Sequence, residues 1–162
     1  MRQIEILAPA GSMEALQSAI YAGADAVYLG GSRFGARAYA DNLDTQRMKE
    51  AIAFAHLYER KIYLTTNTLL TDQEFPELYE MVAPLYESGL DACIVQDLGV
   101  MDYLHQHFPE MDLHASTQMT LQSGRSANIL KPLGVTRFVP SRELSIQEIA
   151  QCHKDTDLEI EV

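Results

Sequence analysis

The chain has 162 residues, 47% of them apolar and 22% charged, with twelve Lys and Arg against twenty-three Asp and Glu for a formal net charge of −11. That is an ordinary globular composition, and it excludes a disordered tail, a collagen-like repeat and a disulfide-stapled mini-domain. The acid excess argues against whole-surface binding to nucleic acid or an anionic membrane, though not against a local basic cleft.

In chain order, short apolar runs alternate with amphipathic stretches. Ile4 to Ala8 reads as a strand ended by Pro9-Ala10-Gly11-Ser12, and Ser12 caps a helix through Ala22 with Met13, Leu16, Ala19 and Ile20 as its stripe. Ala26 to Leu29 is a strand, 30–43 a long loop and Asp44 to Glu59 a helix with Met48, Ala51, Ile52 and Ala55 at helical spacing. Lys61 to Asn67 is a strand. The helix from Phe75 to Ser88 carries Pro76 in its first turn and Pro84 inside, where a kink or break is expected. The plan then repeats: strand Ala92 to Gln96, helix Leu98 to His107, strand Leu113 to Ser116, a helix to about Leu130, strand Arg137 to Pro140, a helix capped by Ser145 and running to about His153, and strand Leu158 to Val162.

A weak internal repeat supports this parsing. Gly23-Ala24-Asp25-Ala26-Val27-Tyr28-Leu29 resembles Gly89-Leu90-Asp91-Ala92-Cys93-Ile94-Val95, and Gly134-Val135-Thr136-Arg137-Phe138-Val139 is a looser third copy. Each places a helix-ending glycine and a short turn before a buried strand, as in β/α units with parallel strands.

Side-chain direction favours a barrel over an open sheet. On the first, third, fifth and seventh strands apolar residues oppose polar ones, so that Glu5, Tyr63, Thr65, His114, Ser116 and Glu161 share a common inner face. An open doubly wound sheet, covered by helices on both faces, would be apolar on both. The expected fold is therefore α/β: parallel β/α repeats forming a TIM-barrel-like domain that is incomplete in this chain. Seven strands are one short of closure, and the usual barrel has about 250 residues. Residues 1–162 are then a single N-terminal barrel-type unit of a longer protein, and its open strand edges predict self-association of the isolated piece.

Barrel enzymes place their sites at the C-terminal ends of the strands. The candidates for catalysis there are His114, Ser116, Asp97 and Glu143. Those for substrate binding are Arg33, Arg37, Asn67, Gln96, Gln118 and Arg142, the arginines being suited to a phosphate or carboxylate. His114 and Ser116 lie two apart on one strand face, as a nucleophile pair would require, but no nucleophile elbow or oxyanion loop accompanies them. A hydrogen-bonding role in the lumen is the competing reading. Cys93 and Cys152 sit in no CxxC and near no histidine at metal-ligand spacing, so reduced thiols in a cytoplasmic protein are expected, with no metal. There is no apolar signal core at the N-terminus and no run of about 20 apolar residues, so no membrane association is expected.

Taken together, several runs are similar to the N-terminal part of the collagenase-like peptidase family of unassigned catalytic type, number thirty-two in the U class. They are Leu7-Ala8-Pro9-Ala10-Gly11-Ser12, residues 23–31, Phe34-Gly35-Ala36-Arg37-Ala38, Thr66-Asn67-Thr68, residues 94–99, His114-Ala115-Ser116-Thr117-Gln118-Met119, Arg142-Glu143-Leu144-Ser145 and Glu159-Ile160-Glu161-Val162. The resemblance covers essentially the whole chain and implies a barrel-like catalytic domain. The family name implies proteolysis. Several members instead resemble oxygen-inserting enzymes that hydroxylate a pyrimidine in transfer or ribosomal RNA, or act in oxygen-independent ubiquinone synthesis, with prephenate as oxygen source. The resemblance also implies an iron–sulfur cluster on four cysteines in the full-length protein, the first of them shortly after the strand matched by residues 159–162. Neither Cys93 nor Cys152 matches a ligand position, so no cofactor is expected on these residues. Three readings follow: part of an iron–sulfur hydroxylase acting on tRNA or rRNA, a peptidase acting on a peptide, or a non-catalytic module that binds a partner. The substrate is not legible.

Overall fold

The computed structural model describes residues 4–36 and 43–162. Seven strands form one parallel sheet in chain order: β1 (Leu7–Ala10), β2 (Ala26–Gly30), β3 (Lys61–Thr66), β4 (Ala92–Val95), β5 (Asp112–Ala115), β6 (Val135–Phe138) and β7 (Glu159–Ile160). The helices between them are α1 (Met13–Tyr21), α2 (Thr45–Leu57), α3 (Phe75–Tyr86), α4 (Leu98–His107), α5 (Gly124–Asn128) and α6 (Ile146–Asp155). Strand neighbours that follow chain order, each pair bridged by a helix, are the β/α-barrel plan.

The sheet is curled. Glu5, just ahead of β1, bonds Arg137 of β6 at 2.6 Å, whereas five strand spacings in a flat sheet would hold those strands roughly 24 Å apart. Across the same interior the Tyr63 and His114 rings, on β3 and β5, meet edge to face with centroids 4.7 Å apart. Among the described residues no pairing joins β1 to β7, so the barrel is incomplete, as expected. Ile4, Ile6 and Val162 stand exposed beside that opening.

Two apolar layers result. The larger lies between sheet and helices and includes Leu16, Met48, Ile52, Leu64, Val82 and Phe138. The smaller lies inside the curl, where Ala26, Tyr63, Ala92 and Ile94 meet Leu7 and Tyr28. No helix is long and apolar enough to cross a membrane.

The repeat has a structural meaning. Gly23, Gly89 and Gly134 all have positive φ, at 100°, 91° and 81°, a conformation that glycine adopts without steric cost. A Cβ on Gly134 would also come within 2.3 Å of the His105 ring. Two residues on, Asp25 accepts the Ile6 N–H at 3.0 Å and Asp91 accepts the Ile62 N–H at 2.8 Å. Each aspartate also meets a side-chain nitrogen near the end of α2, Arg60 at 3.2 Å for Asp25 and His56 at 3.0 Å for Asp91. In the third copy the Thr136 hydroxyl turns to the Leu113 carbonyl instead. Each copy thus stitches its strand to the preceding one at the N-terminal end of the barrel.

Three local expectations change. Pro9 lies within β1 rather than ending it, because an edge strand tolerates a residue that donates no hydrogen bond. Helix α3 runs through Pro84 as one element. The single helix expected after the fifth strand is instead a turn at 117–119, the short α5 and a turn at 131–133. Thr120 there is left-handed and Ser123 caps α5 afresh.

Candidate functional site

At the C-terminal ends of the strands the curl opens into a cavity of about 690 Å³. Four groups of residues line it: β1 and the turn after it (Pro9, Gly11), the end of β3 and the residue after it (Thr65, Asn67), the segment after β5 (Ser116, Gln118), and the loop after β6 (Ser141, Arg142). Glu161, just past β7, completes the wall, with Tyr28, Ile94 and Val139 as apolar surface. These residues converge because parallel strands end side by side and the residues facing the lumen alternate along each.

Many polar groups of this wall are already engaged. Thr65 Oγ1 donates to the Leu29 carbonyl at 3.2 Å, and Thr117 Oγ1 to that of Pro140 at 3.2 Å. Ser116 Oγ accepts the Gln118 N–H at 3.3 Å. Ser141 donates to the Glu143 carboxylate. Asn67 Oδ1 accepts the Ala36 N–H at 3.0 Å, which leaves its amide hydrogens without a partner among the described residues. The same holds of the Gln118 side-chain amide, the exposed Arg142 guanidinium and Glu161 Oε2.

Beneath the cavity lies a charged layer centred on Arg137, only 8% exposed. Its Nη1 donates to Glu5 at 2.6 Å, and its Nε and Nη2 donate to Glu159 at 2.9 and 2.6 Å. Tyr63 donates to the same Glu5 oxygen at 2.8 Å. Burial alone would raise the Glu5 pKa, but the bonds from Arg137 and Tyr63 outweigh it and hold the carboxyl below its usual value. Burial would likewise lower Arg137, and its bonds to Glu5 and Glu159 drive it upward instead. Glu161 Oε2 stands 3.8 Å from Arg137 Nη1, too far to share a hydrogen bond. Burial raises its pKa against the pull of Arg137, and Glu5 adds to the rise.

The sequence candidates separate accordingly. Asn67, Ser116, Gln118 and Arg142 line the cavity. Asp97 caps α4, accepting the N–H groups of Gly99, Val100 and Leu70, and does not face the cavity. Arg33 is exposed, pairs with Glu77 and lies over the Phe34 ring. Glu143 is exposed and reaches the cavity only through Ser141, and half-buried Gln96 is not among its lining residues. Arg37 lies outside the described residues. His114 is 2% exposed, its Nδ1 has no partner, and no hydrogen bond joins it to Ser116. Burial, with Arg137 and Lys61 adding to it, pushes its pKa down to about 3, so the imidazole is neutral at ordinary pH. The nucleophile pair is therefore not assembled.

Arg137 and Glu161 are absent from the sequence candidates. Arg137 is in register with His114, past an irregularity that separates it from Val135, and Val139 two residues on lines the cavity, so extending the alternation argument to residues 137–140 would have found it. Cys93 is fully buried against Met111, its thiol pushed up to about 12 by burial. Cys152 is buried on α6 near the Gln122 carbonyl. Among the described residues no three His, Cys, Asp or Glu side chains gather as a metal site.

Comparison with known proteins fits this architecture. A sequence model of peptidase family U32 matches residues 11–162. The chain is 40% identical over 159 residues to the 23S rRNA 5-hydroxycytidine C2501 synthase of Escherichia coli, covering 98% of this chain and 24% of that protein. It is 35% identical over 157 residues to tRNA hydroxylation protein P1 of Bacillus subtilis, covering 97% of this chain and 37% of the relative. An uncharacterized protease of Methanocaldococcus jannaschii is 32% identical over 166 residues, covering 99% and 40%. The chain thus spans about a quarter to two fifths of the length of these relatives. Among solved structures, the U32 peptidase Mk0906 superposes with a TM-score of 0.77 at 12% identity, covering 98% of this chain and 67% of that one, a likeness of fold. By sequence over nearly its whole length, and in agreement with its architecture, this chain belongs to peptidase family U32.

Proposed function

We propose that this chain supplies the substrate-binding barrel of an enzyme that hydroxylates a pyrimidine in transfer or ribosomal RNA. The observation that carries this reading is the cavity at the strand ends. Its volume of about 690 Å³ lies in the range of small-molecule sites, roughly 300–1,000 Å³. It offers amide and guanidinium donors, and among the described residues no activated nucleophile faces it. Proteolysis needs such a nucleophile or a metal-bound water, whereas Ser116 accepts a backbone N–H and His114 is buried without contact to it. The names of the bacterial relatives support the same reading.

In this arrangement Asn67 and Gln118 bond the polar edge of a base, Tyr28 and Ile94 give it an apolar surface, and Arg142 meets a phosphate at the rim. The iron–sulfur cluster implied by the family resemblance would carry the redox chemistry. Cys93 and Cys152 are buried on separate elements and do not fit such a cluster. An RNA substrate also implies a cytoplasmic protein.

Deleting the gene that encodes this chain and digesting tRNA and rRNA to nucleosides tests the reading by mass spectrometry. A hydroxylated pyrimidine should disappear, return with the wild-type gene, and fail to return with the Asn67→Ala, Gln118→Ala double variant. An unchanged nucleoside profile would overturn it. Cleavage of casein by the intact protein that vanishes on Ser116→Ala would establish the peptidase reading instead.

A further inference from the structure

The cavity has two charged groups at different depths. Arg142 is exposed at the mouth. Glu161 reaches in from just past β7, its side chain 24% exposed and its Oε2 buried without a hydrogen-bond partner among the described residues. The remaining wall is neutral or apolar. A ligand that satisfies both groups carries a hydrogen-bond donor at the inner end and an anion at the outer end.

We propose that Glu161 is the recognition residue of this cavity, accepting a hydrogen bond from an N–H of a pyrimidine base whose phosphate faces Arg142. The inference rests on the RNA-pyrimidine reading above and adds the orientation of the nucleotide and the residue that reads its base.

The geometry separates Glu161 from its neighbours. Arg137 is committed to Glu5 and Glu159, which leaves its closest approach to Glu161 at 3.8 Å. The other titratable or charged groups around this layer are Tyr63 and Lys61 on β3 and His114 on β5. Tyr63 donates to Glu5, and His114 stacks edge-on against Tyr63. Among the described residues Glu161 is thus the acid of the layer that both borders the cavity and retains an oxygen with no donor. A buried oxygen of this kind is costly unless a ligand completes it. Both pyrimidines present suitable donors, the exocyclic amine of cytosine and the ring N–H of uracil.

Only the ionised carboxyl accepts at both oxygens. With its pKa raised by burial, affinity should fall as pH drops into a range above the ordinary carboxylate value. The intact protein is titrated calorimetrically with cytidine and cytidine 5′-monophosphate, and with the uridine pair, across a pH series. Wild type should lose affinity toward acid pH. Glu161→Gln should bind roughly tenfold more weakly at neutral pH, as for a lost charge-assisted hydrogen bond, and show no acid decline. Glu161→Asp should restore the decline, and equal far-ultraviolet circular dichroism should show that the variants are folded. Arg142→Ala should weaken the nucleotide while sparing the nucleoside. A Glu161→Gln profile identical to wild type would overturn the assignment. So would a wild type that binds none of the four ligands while its gene deletion still abolishes the hydroxylated base, a result that leaves the RNA-hydroxylase reading standing. Retention of the base in the deletion strain would remove both.

Discussion

At the N-terminal end of the strands Asp25 and Asp91 each accept a backbone N–H from the neighbouring chain segment and meet Arg60 and His56 respectively. At the C-terminal end Asn67, Gln118 and Arg142 border a cavity with donors still free among the described residues. The chain uses the same residue classes at both ends. The difference is commitment: below, polar groups join strands to each other, and above, they are held by strands that are already joined. The Arg137 layer lies between, closing the lumen beneath the cavity with Arg137 committed to Glu5 and Glu159.

This contrast can be broken at measurable points. Arg137→Ala should have the largest effect, about 3 kcal/mol of lost stability in urea unfolding, near the lower limit for breaking a buried ion pair because Glu159 is partly exposed. Asp91→Ala should cost about 2 kcal/mol, as for a lost hydrogen bond to a charged group. It removes the bond to the Ile62 N–H together with the His56 contact.

His114 gives the comparison a pH axis. Its pKa falls from 6.5 to about 3 in the fold, so the unfolded chain takes up the proton first. The stability this provides is complete above pH 6.5 and is lost progressively as pH falls toward 3, with a slope of up to about 1.4 kcal/mol per pH unit. Urea midpoints of His114→Gln should fall less steeply with pH across that window than those of wild type. Arg142→Ala should have the smallest effect on stability, within about 0.5 kcal/mol in the same assay, because the residue is exposed and has no ion-pair partner among the described residues.

Features set by local sequence were legible. Ser12, Asp44 and Ser145 each cap the helix expected to follow them, and α4 runs from Leu98 to His107 as its periodicity indicates. The glycine of each repeat marks a left-handed turn. Asp97 illustrates a competing signal. An aspartate between strand and helix is a capping residue by the same rule, yet its position at a strand end also fits a catalytic acid, and the structure shows the cap. The lumen position of Arg137 follows from alternation, but its pairing was hidden for another reason. Its partner Glu5 is 132 residues away, and no local pattern announces so distant a pair. The free groups of the cavity were equally hidden, because a donor such as the Asn67 amide is identified only after the bond from Ala36 is known.

That separation of 132 residues also orders the assembly of the barrel in time. The stitches at Asp25 and Asp91 close over 19 and 29 residues, whereas the Glu5–Arg137 contact closes over the whole sheet. In loop-closure terms, a sevenfold longer loop costs roughly 1.7 kcal/mol more entropy when nothing between its ends is yet ordered. The short stitches remove most of that cost if they form first. In that order curvature follows strand pairing, and the Arg137 layer that floors the cavity closes after the stitches at the N-terminal end of the barrel.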